Sequence, residues 1–597
     1  MKSYQIIISI VVLSCSLLIT GGCKKALDVA PSGRLTLKDV LNNYNETEGL
    51  LTAAYSQFIT HDDNLYWFQT LEDLTDNAFE AREDLGACYW WRTGQLSVTN
   101  QVTNPSTGAS GSPGNDWWNI FWKGIRLANI AIQDIPQSPQ VSDLEKKQWV
   151  AQARLLRAYY YFQLLEFYGP MPFIDKPFDV NFTGWDNLKR PTYNEITQRI
   201  AAECDTIIQS KILPITQPAN QLGLLSAGFA YALKSRVLLY NASPLNNPDN
   251  DSKKWQEAAS AAKDLINLNV YQLIDMDHYN DLWTAPYGTI VPGIIYRCPS
   301  DQSELMDLNG VPLGSYGLYN CYKGGQMPTQ ELVDCFEMKN GALPVAYTDG
   351  THLQIKINPA AAEDGYSESV GGNPYENRDA RFYKDILYNG ADYGVPTGVD
   401  FHAIINTYIG GAQHFTSDVA SGDEKYTTTG YYSRKAHDVR WYGTNGGGNG
   451  IHSYKVVFRI AEAYLNYAEA ECELGNLDQA KWALNMIRTR ALQPKIEDVP
   501  DFVNTQSFLL NRIRNERRVE FCLEGYRFFD VRRWDILNQT GQVITGMMIS
   551  KVSDTTFEYQ RVTTYKNLSY SDKYLVLPIP QDEAKKIPGI LEPVPWR

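Results

Sequence analysis

Histidine is scarce in this chain, and the motifs of the common catalytic sites are absent. Only seven of the 597 residues are histidine, and none has the H-E-x-x-H spacing that brings two imidazoles onto one helix face to hold zinc. The sequence also lacks the G-x-S-x-G turn of serine hydrolases and the Walker loop of nucleotide-binding proteins. We therefore expect no catalytic residues, no metal site and no cofactor.

Cysteine is also used sparingly, and no two of the nine cysteines form a C-x-x-C pair. Cys15 and Cys23 lie near the N-terminus, and the other seven are scattered between residues 88 and 522. An odd number of dispersed cysteines predicts neither a disulfide framework nor a zinc site. Cys472 and Cys522 occur in helical patterns, where a buried cysteine packs as a small hydrophobic residue.

Basic residues are outnumbered, and this imbalance excludes one large class of partner. The chain has 54 Lys and Arg against 68 Asp and Glu, a formal net charge of −14. A protein that binds nucleic acid needs a basic surface to displace counterions from phosphates, so we expect no nucleic-acid partner. The composition, 44% hydrophobic and 20% charged, is typical of a globular protein.

The N-terminus has the pattern of an export signal followed by a lipid attachment site. Residues 6–19 form an apolar run that is shorter than a membrane span and precedes small residues, which predicts a signal peptide over residues 1–22. The next residue is Cys23, and small residues directly before a cysteine resemble a bacterial lipobox. We therefore predict lipidation of Cys23 and a lipidated tether over residues 23–36. The alternative is a secretory signal followed by an unmodified cysteine.

Much of the chain has helical periodicity, with apolar residues three and four apart. The helical segments are residues 39–59, 117–135, 143–168, 192–210, 222–242, 252–268, 456–474, 477–491 and 505–524. The clearest pair lies in residues 461–491, where Gly475 occupies the turn and the small residues Ala468 and Ala480 allow close approach. This pattern is typical of a tetratricopeptide-like hairpin, and residues 222–268 resemble a second, degenerate pair. The alternative is a set of unrelated helices packed into a globule.

The pattern predicts a mainly α fold, in which a tetratricopeptide-like α-superhelix carries a large irregular part with short strands. We assign residues 37–597 to one fold, with the helical scaffold mainly in 37–60, 117–270 and 456–524. The loop-rich part lies mainly in 61–116 and 271–455, which are rich in turn-forming residues. A short apolar strand is predicted over residues 574–579.

Three glutamates, Glu516, Glu520 and Glu524, recur every four residues on one helix face among several arginines. A glycoside hydrolase needs two carboxyl groups across an open cleft, one of them with a raised pKa. Carboxylates crowded by guanidinium groups instead stay ionised in hydrogen-bonded pairs. We therefore interpret these glutamates as an ion-pair lattice that ties a helix end to the body of the protein.

Several segments in order along the chain carry a resemblance to a known family. They are Leu27-Asp28-x-x-Pro31 after Cys23, residues 153–173 (ARLLRAYYYFQLLEFYGPMPF), 232–246, 328–341 (PTQELVDCFEMKNG), 373–390 (NPYENRDARFYKDILYNG), 459–475 (RIAEAYLNYAEAECELG), 516–534 (ERRVEFCLEGYRFFDVRRW) and 574–580 (YLVLPIP). The chain resembles the SusD/RagB family of outer-membrane nutrient-binding lipoproteins of Bacteroidetes. The resemblance covers essentially the whole chain after the signal.

The resemblance implies a fold and a role. The fold is an α-superhelix of about four tetratricopeptide-like pairs that supports an irregular, loop-rich half. The role is that of a lipid-anchored, cell-surface lid of a SusC-type TonB-dependent outer-membrane transporter, which grips an oligosaccharide without catalysis and delivers it for import. The alternatives are a lid of the same kind that binds peptide and, from a different class, a surface glycoside hydrolase.

Aromatic residues in the irregular segments are the candidates for the ligand site. A sugar ring has an apolar C–H face and a rim of hydroxyls, so exposed aromatic rings beside amides, carboxylates or arginine suit it. The predicted ligand-binding residues are Asp62, Asn64, Trp67, Asp76, Tyr89, Trp90, Trp91, Arg92, Trp283, Tyr287, Tyr316 and Tyr319. Trp117, Trp118 and Trp122 open a helix with i, i+4 spacing and are expected in the core.

Overall fold

A computed structural model describes most of the chain, in several stretches. They are residues 35–58, 65, 69–80, 86–99, 102, 117–299, 326–416, 426–441, 453–566, 572–586, 590 and 596. Six of the predicted site residues lie outside the described residues, namely Cys23, Asp62, Asn64, Trp67, Tyr316 and Tyr319. The predicted signal peptide, residues 1–22, and most of the predicted tether, residues 23–36, lie outside them too.

Helices dominate the described residues, as the periodicity predicts. They are α1 (Leu37–Leu41), α2 (Tyr44–Tyr55), α3 (Gly86–Arg92), α4 (Trp117–Asp134), α5 (Asp143–Tyr168), α6 (Tyr193–Ser210), α7 (Ala227–Ala242), α8 (Ser252–Ile266), α9 (Asp281–Thr284), α10 (Gln330–Val333), α11 (Pro359–Glu363), α12 (Phe382–Asp385), α13 (Ile460–Glu473), α14 (Leu477–Arg490), α15 (Gln506–Glu520), α16 (Tyr526–Arg533) and α17 (Gln581–Lys586). None of these helices is both long and apolar enough to span a bilayer.

Helix α5 begins and ends where its own capping residues predict. The Ser142 hydroxyl accepts from the Glu145 backbone N–H (3.3 Å), and the Glu145 carboxylate accepts from the Ser142 backbone N–H (3.2 Å). This capping box satisfies two backbone donors that a helix start leaves unpaired. The helix ends at Gly169, whose backbone φ of 77° is strained for residues that carry a side chain. The predicted span, residues 143–168, is therefore the observed one.

The longer helices pack in series into a superhelix. Helix α4 packs on α5, and the contacts continue in order to α6, α7 and α8. Helix α8 then packs on α13, although the loop-rich segment separates the two in sequence, and α13 packs on α14 and α15. Both predicted hairpins, α7 with α8 and α13 with α14, are present. The expectation of a mainly α, tetratricopeptide-like superhelix is confirmed.

Small residues set the closest helix contacts. A Cβ on Gly124 of α4 would lie 2.6 Å from the ring of Tyr160 on α5, which is closer than side chains pack. In the α13–α14 hairpin Ala468 and Ala480 are fully buried, and Gly475 turns the chain with a φ of 80°. Cys472, on the same hairpin, is fully buried as predicted.

The strands are short and form separate pairs. They are β1 (Ala78–Glu80), β2 (Ile294–Arg297), β3 (Gln326–Pro328), β4 (Val345–Tyr347), β5 (Ile355–Ile357), β6 (Ile386–Leu387), β7 (Tyr432–Ser433), β8 (Val456–Arg459), β9 (Val543–Lys551) and β10 (Phe557–Lys566). Within the described ranges they make five two-stranded antiparallel sheets, β1 with β3, β2 with β8, β4 with β5, β6 with β7 and β9 with β10. The β2–β8 pair joins the loop-rich part directly to the start of α13.

Four helix predictions are wrong in their bounds. The segment 222–242 becomes helical only at Ala227, because the Ser226 side chain caps the start by accepting from the Phe229 backbone N–H. The segment 456–474 begins with strand β8, because its buried residues pair with β2, and the helix starts only at Ile460. The segment 39–59 is two helices, because the Asn43 side chain caps a new start by accepting from the Glu46 backbone N–H. The segment 505–524 ends at Glu520, and a left-handed residue, Gly525 (φ 85°), starts α16.

The C-terminal part also differs from the prediction. Residues 574–579 are not a strand, because Tyr574 lies in a 3₁₀ turn and no strand among the described residues pairs with the segment. The Leu577 backbone N–H instead donates to the Phe167 carbonyl at the end of α5 (2.8 Å). The β9–β10 hairpin was missed by the sequence analysis, and it buries Met547 and Ile549 in a secondary core.

Candidate ligand-binding site

Buried ion pairs around Glu520 hold the loop-rich part against the superhelix. Its carboxylate accepts from Arg459 (2.5 Å) and Arg490, and its other oxygen accepts from Arg381 (3.0 Å), which belongs to the loop-rich part. Burial opposes ionisation of Glu520, but the guanidinium groups of Arg490, Arg459 and Arg381 outweigh it and hold the pKa of that carboxyl well below its usual range. Glu520 is therefore a structural anion.

The other two glutamates extend this lattice. Glu524 pairs with Arg459 (2.7 Å) and Lys435 (2.9 Å), and these two cations lower the pKa of Glu524 despite its burial. Glu516 lies 3.1 Å from Arg488, but burial raises the pKa of Glu516. The predicted ion-pair lattice is confirmed, and all three carboxyl groups are buried rather than placed across an open cleft.

Two predicted ligand residues, Asp76 and Arg92, are buried in the framework, and the prediction is wrong for both. Asp76 is bound by Arg527 (2.8 Å) and Arg518 (3.1 Å). The Arg92 guanidinium donates to the backbone carbonyl of Ala78 (3.1 Å). A buried charge is costly unless it is paired, so these groups are committed to the protein itself and offer no surface to a sugar.

Two predicted stacking residues, Trp91 and Trp283, are also buried, which corrects the same prediction. The Trp91 ring lies between those of Phe528 (5.4 Å between centroids) and Tyr574 (4.9 Å). The Trp283 ring packs against Tyr279 (5.2 Å). Both tryptophans are 2% exposed or less, because they lie on the inner faces of short helices that the sequence analysis treated as loops.

Two neighbours of Trp91 on helix α3 remain accessible. Tyr89 and Trp90 are half-buried, since the turn of the helix points Trp91, but neither of these two side chains, fully inward. The Tyr89 hydroxyl accepts from the side chain of Gln95 (3.3 Å). This pair therefore presents aromatic surface beside an amide, as the prediction requires, and it stays a candidate contact.

Tyr287 is the most exposed of the described candidates and lines a recess. Its side chain is 39% exposed. The recess has a volume of about 170 Å³. Its lining includes Thr216, Gln217, Ser226, Tyr271, Tyr287, Thr289, Tyr296 and Arg297. The recess therefore combines an exposed ring with the exposed hydroxyls of Thr216 and Thr289, whereas its Gln217 amide and Arg297 guanidinium donate to backbone carbonyls.

The walls of the recess are fixed by hydrogen bonds. Tyr271 donates to the carbonyl of Ile215 (2.9 Å), and Tyr296 donates to the carbonyl of Gly223 (3.2 Å). A Cβ on Gly223 would lie 2.8 Å from the Tyr287 hydroxyl, so the glycine leaves room for that group. Preorganised walls lower the ordering cost of ligand binding.

A second ring supports Tyr287 from behind. The centroids of the Tyr287 and Tyr454 rings are 5.7 Å apart, and the Arg297 guanidinium lies 4.6 Å from the Tyr454 centroid. Arg297 is itself held by the Ala285 carbonyl (2.9 Å). Partial burial raises the pKa of Tyr287 above its ordinary value, and its hydroxyl is a hydrogen-bond donor at neutral pH with or without this shift.

The sequence analysis missed most of this recess. Gln217 and Thr216 precede helix α7 in a turn with no aromatic signal, and Tyr454 lies far along the chain before β8. Their proximity depends on the β2–β8 pairing, which no local pattern reveals. In the part of the chain that the structure describes, no group of His, Cys, Asp and Glu residues could hold a metal ion.

Comparison with known families identifies the chain. Residues 300–596 match the model described as "SusD family". Residues 43–239 match a second model, described as "Starch-binding associating with outer membrane". The chain belongs to the SusD/RagB family. The two matches cover both halves of the superhelix, in agreement with the segments that carry the resemblance in sequence.

Individual SusD-like proteins align over most of the chain. A SusD-like protein of Bacteroides ovatus is 23% identical over 449 residues, which are 73% of this chain and 67% of the relative. The SusD-like protein P38 of Formosa agariphila is 22% identical, over 92% of this chain and 96% of the relative.

Solved SusD-like structures share the fold. A SusD-like protein from Bacteroides fragilis superposes with a TM-score of 0.75 at 24% identity, over 95% of this chain and 99% of that one. The surface glycan-binding protein A from Bacteroides thetaiotaomicron gives a TM-score of 0.55 at 17% identity, over 92% and 98% of the two chains. At these identities the likeness establishes the architecture alone.

Proposed function

We propose that this protein is a cell-surface glycan-binding lipoprotein that acts as the lid of a SusC-type TonB-dependent transporter and delivers oligosaccharide for import. Membership of the SusD/RagB family supports the role, and the description of one matching model names starch binding and the outer membrane. The observation that carries the glycan assignment is the exposed Tyr287 ring beside the exposed hydroxyls of Thr216 and Thr289 in the same recess. An aromatic face stacks on sugar C–H groups while the polar groups bind hydroxyls.

The test is a glycan array followed by calorimetry on Tyr287→Ala. Losing one stacked ring removes about 1–2 kcal/mol of apolar contact, a roughly 5- to 30-fold rise in Kd. Tyr44→Ala is the matched control, because Tyr44 is 38% exposed, against 39% for Tyr287, and lies on α2 away from the recess. Equal affinities for the two variants would remove Tyr287 from the site, and binding of peptides but no glycan would favour the peptide-binding alternative.

The hydrolase alternative is tested by incubation of the protein with the bound glycan. The three clustered glutamates are buried in ion pairs, which supports a binding role without catalysis. We expect no new reducing ends in any incubation. Their appearance, and their loss in a Glu516→Gln variant, would overturn the binding-only assignment.

The membrane anchor and the partner need separate experiments. Metabolic labelling with a palmitate analogue should label the protein, whereas Cys23→Ser should abolish the label and release the chain from the outer membrane. A tagged copy should co-purify with a TonB-dependent transporter from detergent extracts. Labelling that survives Cys23→Ser, or the absence of a transporter from the extract, would contradict the respective part of the proposal.

A further inference from the structure

A second, larger cavity lies between helix α4 and the segment 172–190. Its volume is about 470 Å³. This volume falls within the roughly 300–1,000 Å³ typical of small-molecule sites. Its principal lining residues are Trp118, Trp122, Ile174, Phe178, Trp185 and Leu188. No lining residue is shared with the Tyr287 recess.

One wall is a pair of tryptophans on a rigid helix. Trp118 and Trp122 are one turn apart on α4, and their rings meet edge to face at 5.9 Å. Helix α5 supports both from behind, through Tyr168 (5.1 Å from Trp118) and Tyr161 (6.1 Å from Trp122). The i, i+4 spacing predicts both tryptophans in the core, but only Trp118 is buried, and Trp122 is half-buried.

The opposite wall is an aromatic cluster on the segment 172–190. Phe178 stacks on Phe182 with centroids 4.1 Å apart, and Trp185 meets both rings edge to face at 5.0 and 4.9 Å. The base of the segment is fixed at Ile174, whose N–H donates to the Tyr161 hydroxyl (2.6 Å). This wall is therefore preorganised.

The cavity has an apolar base and a polar rim without a dominant charge. Trp185 is 37% exposed, a large apolar surface to leave in water. Rim residues of both signs surround it, namely Arg126, Lys176, Asp179 and Glu583. The indole N–H of Trp122 is buried and has no acceptor among the described residues. Mixed charge favours a neutral ligand with many hydroxyls over an ion, and the aromatic walls favour one with an apolar face.

We propose that this cavity is a second carbohydrate site, which binds a neutral sugar unit between Trp122 and Trp185. The inference rests on the proposed glycan-binding function and extends it to two sites per chain. A glycan long enough to reach both sites would bind more tightly than a short one, because binding at the first site raises the local concentration of glycan at the second. Short oligosaccharides would fill the two sites independently.

The experiment is calorimetry of the full mature protein with a short oligosaccharide selected on the glycan array. We expect two sites per chain in the wild type and one in Trp185→Ala. Trp122→Phe shrinks the ring on the opposite wall, and should weaken the same site several-fold if Trp185→Ala fails to fold. Trp482→Ala is the matched control, because Trp482 is 38% exposed and lies on α14 outside both cavities.

The outcomes separate this inference from the function on which it rests. One site in the wild type that is lost in Tyr287→Ala and unchanged in both tryptophan variants overturns the second site alone. No binding of any glycan by the wild type overturns both. The apolar dye anilinonaphthalene sulfonate gives a further test. If the dye binds in the Trp185 cavity and the oligosaccharide does not compete with it, the second carbohydrate site is overturned, because the cavity then selects apolar ligands rather than sugars.

Discussion

Replacing Glu520 with glutamine tests whether the buried lattice holds the two parts of the molecule together. Glu520 is fully buried and binds three arginines, Arg381, Arg459 and Arg490. Arg381 and Arg459 keep other carboxylate partners, but within the described residues Arg490 has no second ion pair. The substitution therefore leaves one buried guanidinium without a counter-charge.

The expected size follows from the cost of a broken buried pair, about 3–5 kcal/mol. Unfolding entropy near 60 °C is about 2.1 cal/mol/K per residue, or about 1.3 kcal/mol/K for a chain of this length. The loss therefore corresponds to a fall in Tm of about 2–4 °C. Adding Arg490→Met to Glu520→Gln removes the orphaned charge, so the double variant should be less destabilised than the sum of the two single variants.

Scanning calorimetry of the mature chain measures this effect. The control is Asp554→Asn, which breaks an ion pair between Lys551 and a 99% exposed Asp554 side chain. Exposed pairs contribute little to stability, so we expect no measurable shift in Tm. A Glu520→Gln shift as small as that of Asp554→Asn, or strict additivity with Arg490→Met, would refute the assignment of Glu520 as a required counter-ion.

Three further predictions address packing, pH and the corrected site. Gly124→Ala should lower the free energy of unfolding by about 1–3 kcal/mol through overpacking. Gly49→Ala should raise it by about 0.5–1 kcal/mol, because no atom lies within 4 Å of the added Cβ. Urea unfolding measures both changes. The pKa of Glu469 is lowered to about 2, as Arg533 outweighs burial. Its contribution of about 3 kcal/mol is present above about pH 4.3 and is lost as pH falls toward 2, so Glu469→Gln should flatten that part of the Tm–pH profile. Trp91→Ala should cost about 3–5 kcal/mol of stability, and Trp90→Ala should cost less, because Trp90 is only half-buried; the opposite order would contradict the burial of Trp91.

Local signals predicted the scaffold well because its elements are specified locally. The 143–168 helix carries its own capping box and its own terminating glycine, so its ends need no distant contact. The α13–α14 hairpin is likewise encoded by small residues around a glycine turn. Strand β8 was misassigned because its partner β2 lies about 160 residues earlier, and only that pairing distinguishes a buried strand from a buried helix turn.

The candidate site was predicted less well, because burial is a property of the packed molecule. Tyr89, Trp90 and Trp91 have nearly equivalent sequence contexts, yet helix α3 directs Trp91 into the core and leaves its neighbours half-exposed. At Trp122 the prediction is wrong in the opposite direction. Its i, i+4 spacing predicts a buried ring, but the ring lines a cavity.

The sequence by itself determined the family and the helical scaffold, since the motifs and helix signals behind them are each made of residues that are close together in the chain. It also predicted that Glu516, Glu520 and Glu524 are paired with arginines, although Glu524 lies in the turn after α15 and not on the same helix face. Only the tertiary structure decided which arginines those glutamates bind and which aromatic rings meet solvent. Partners such as Arg381 and Glu520 are brought together by packing across the whole fold, and no local pattern carries that information.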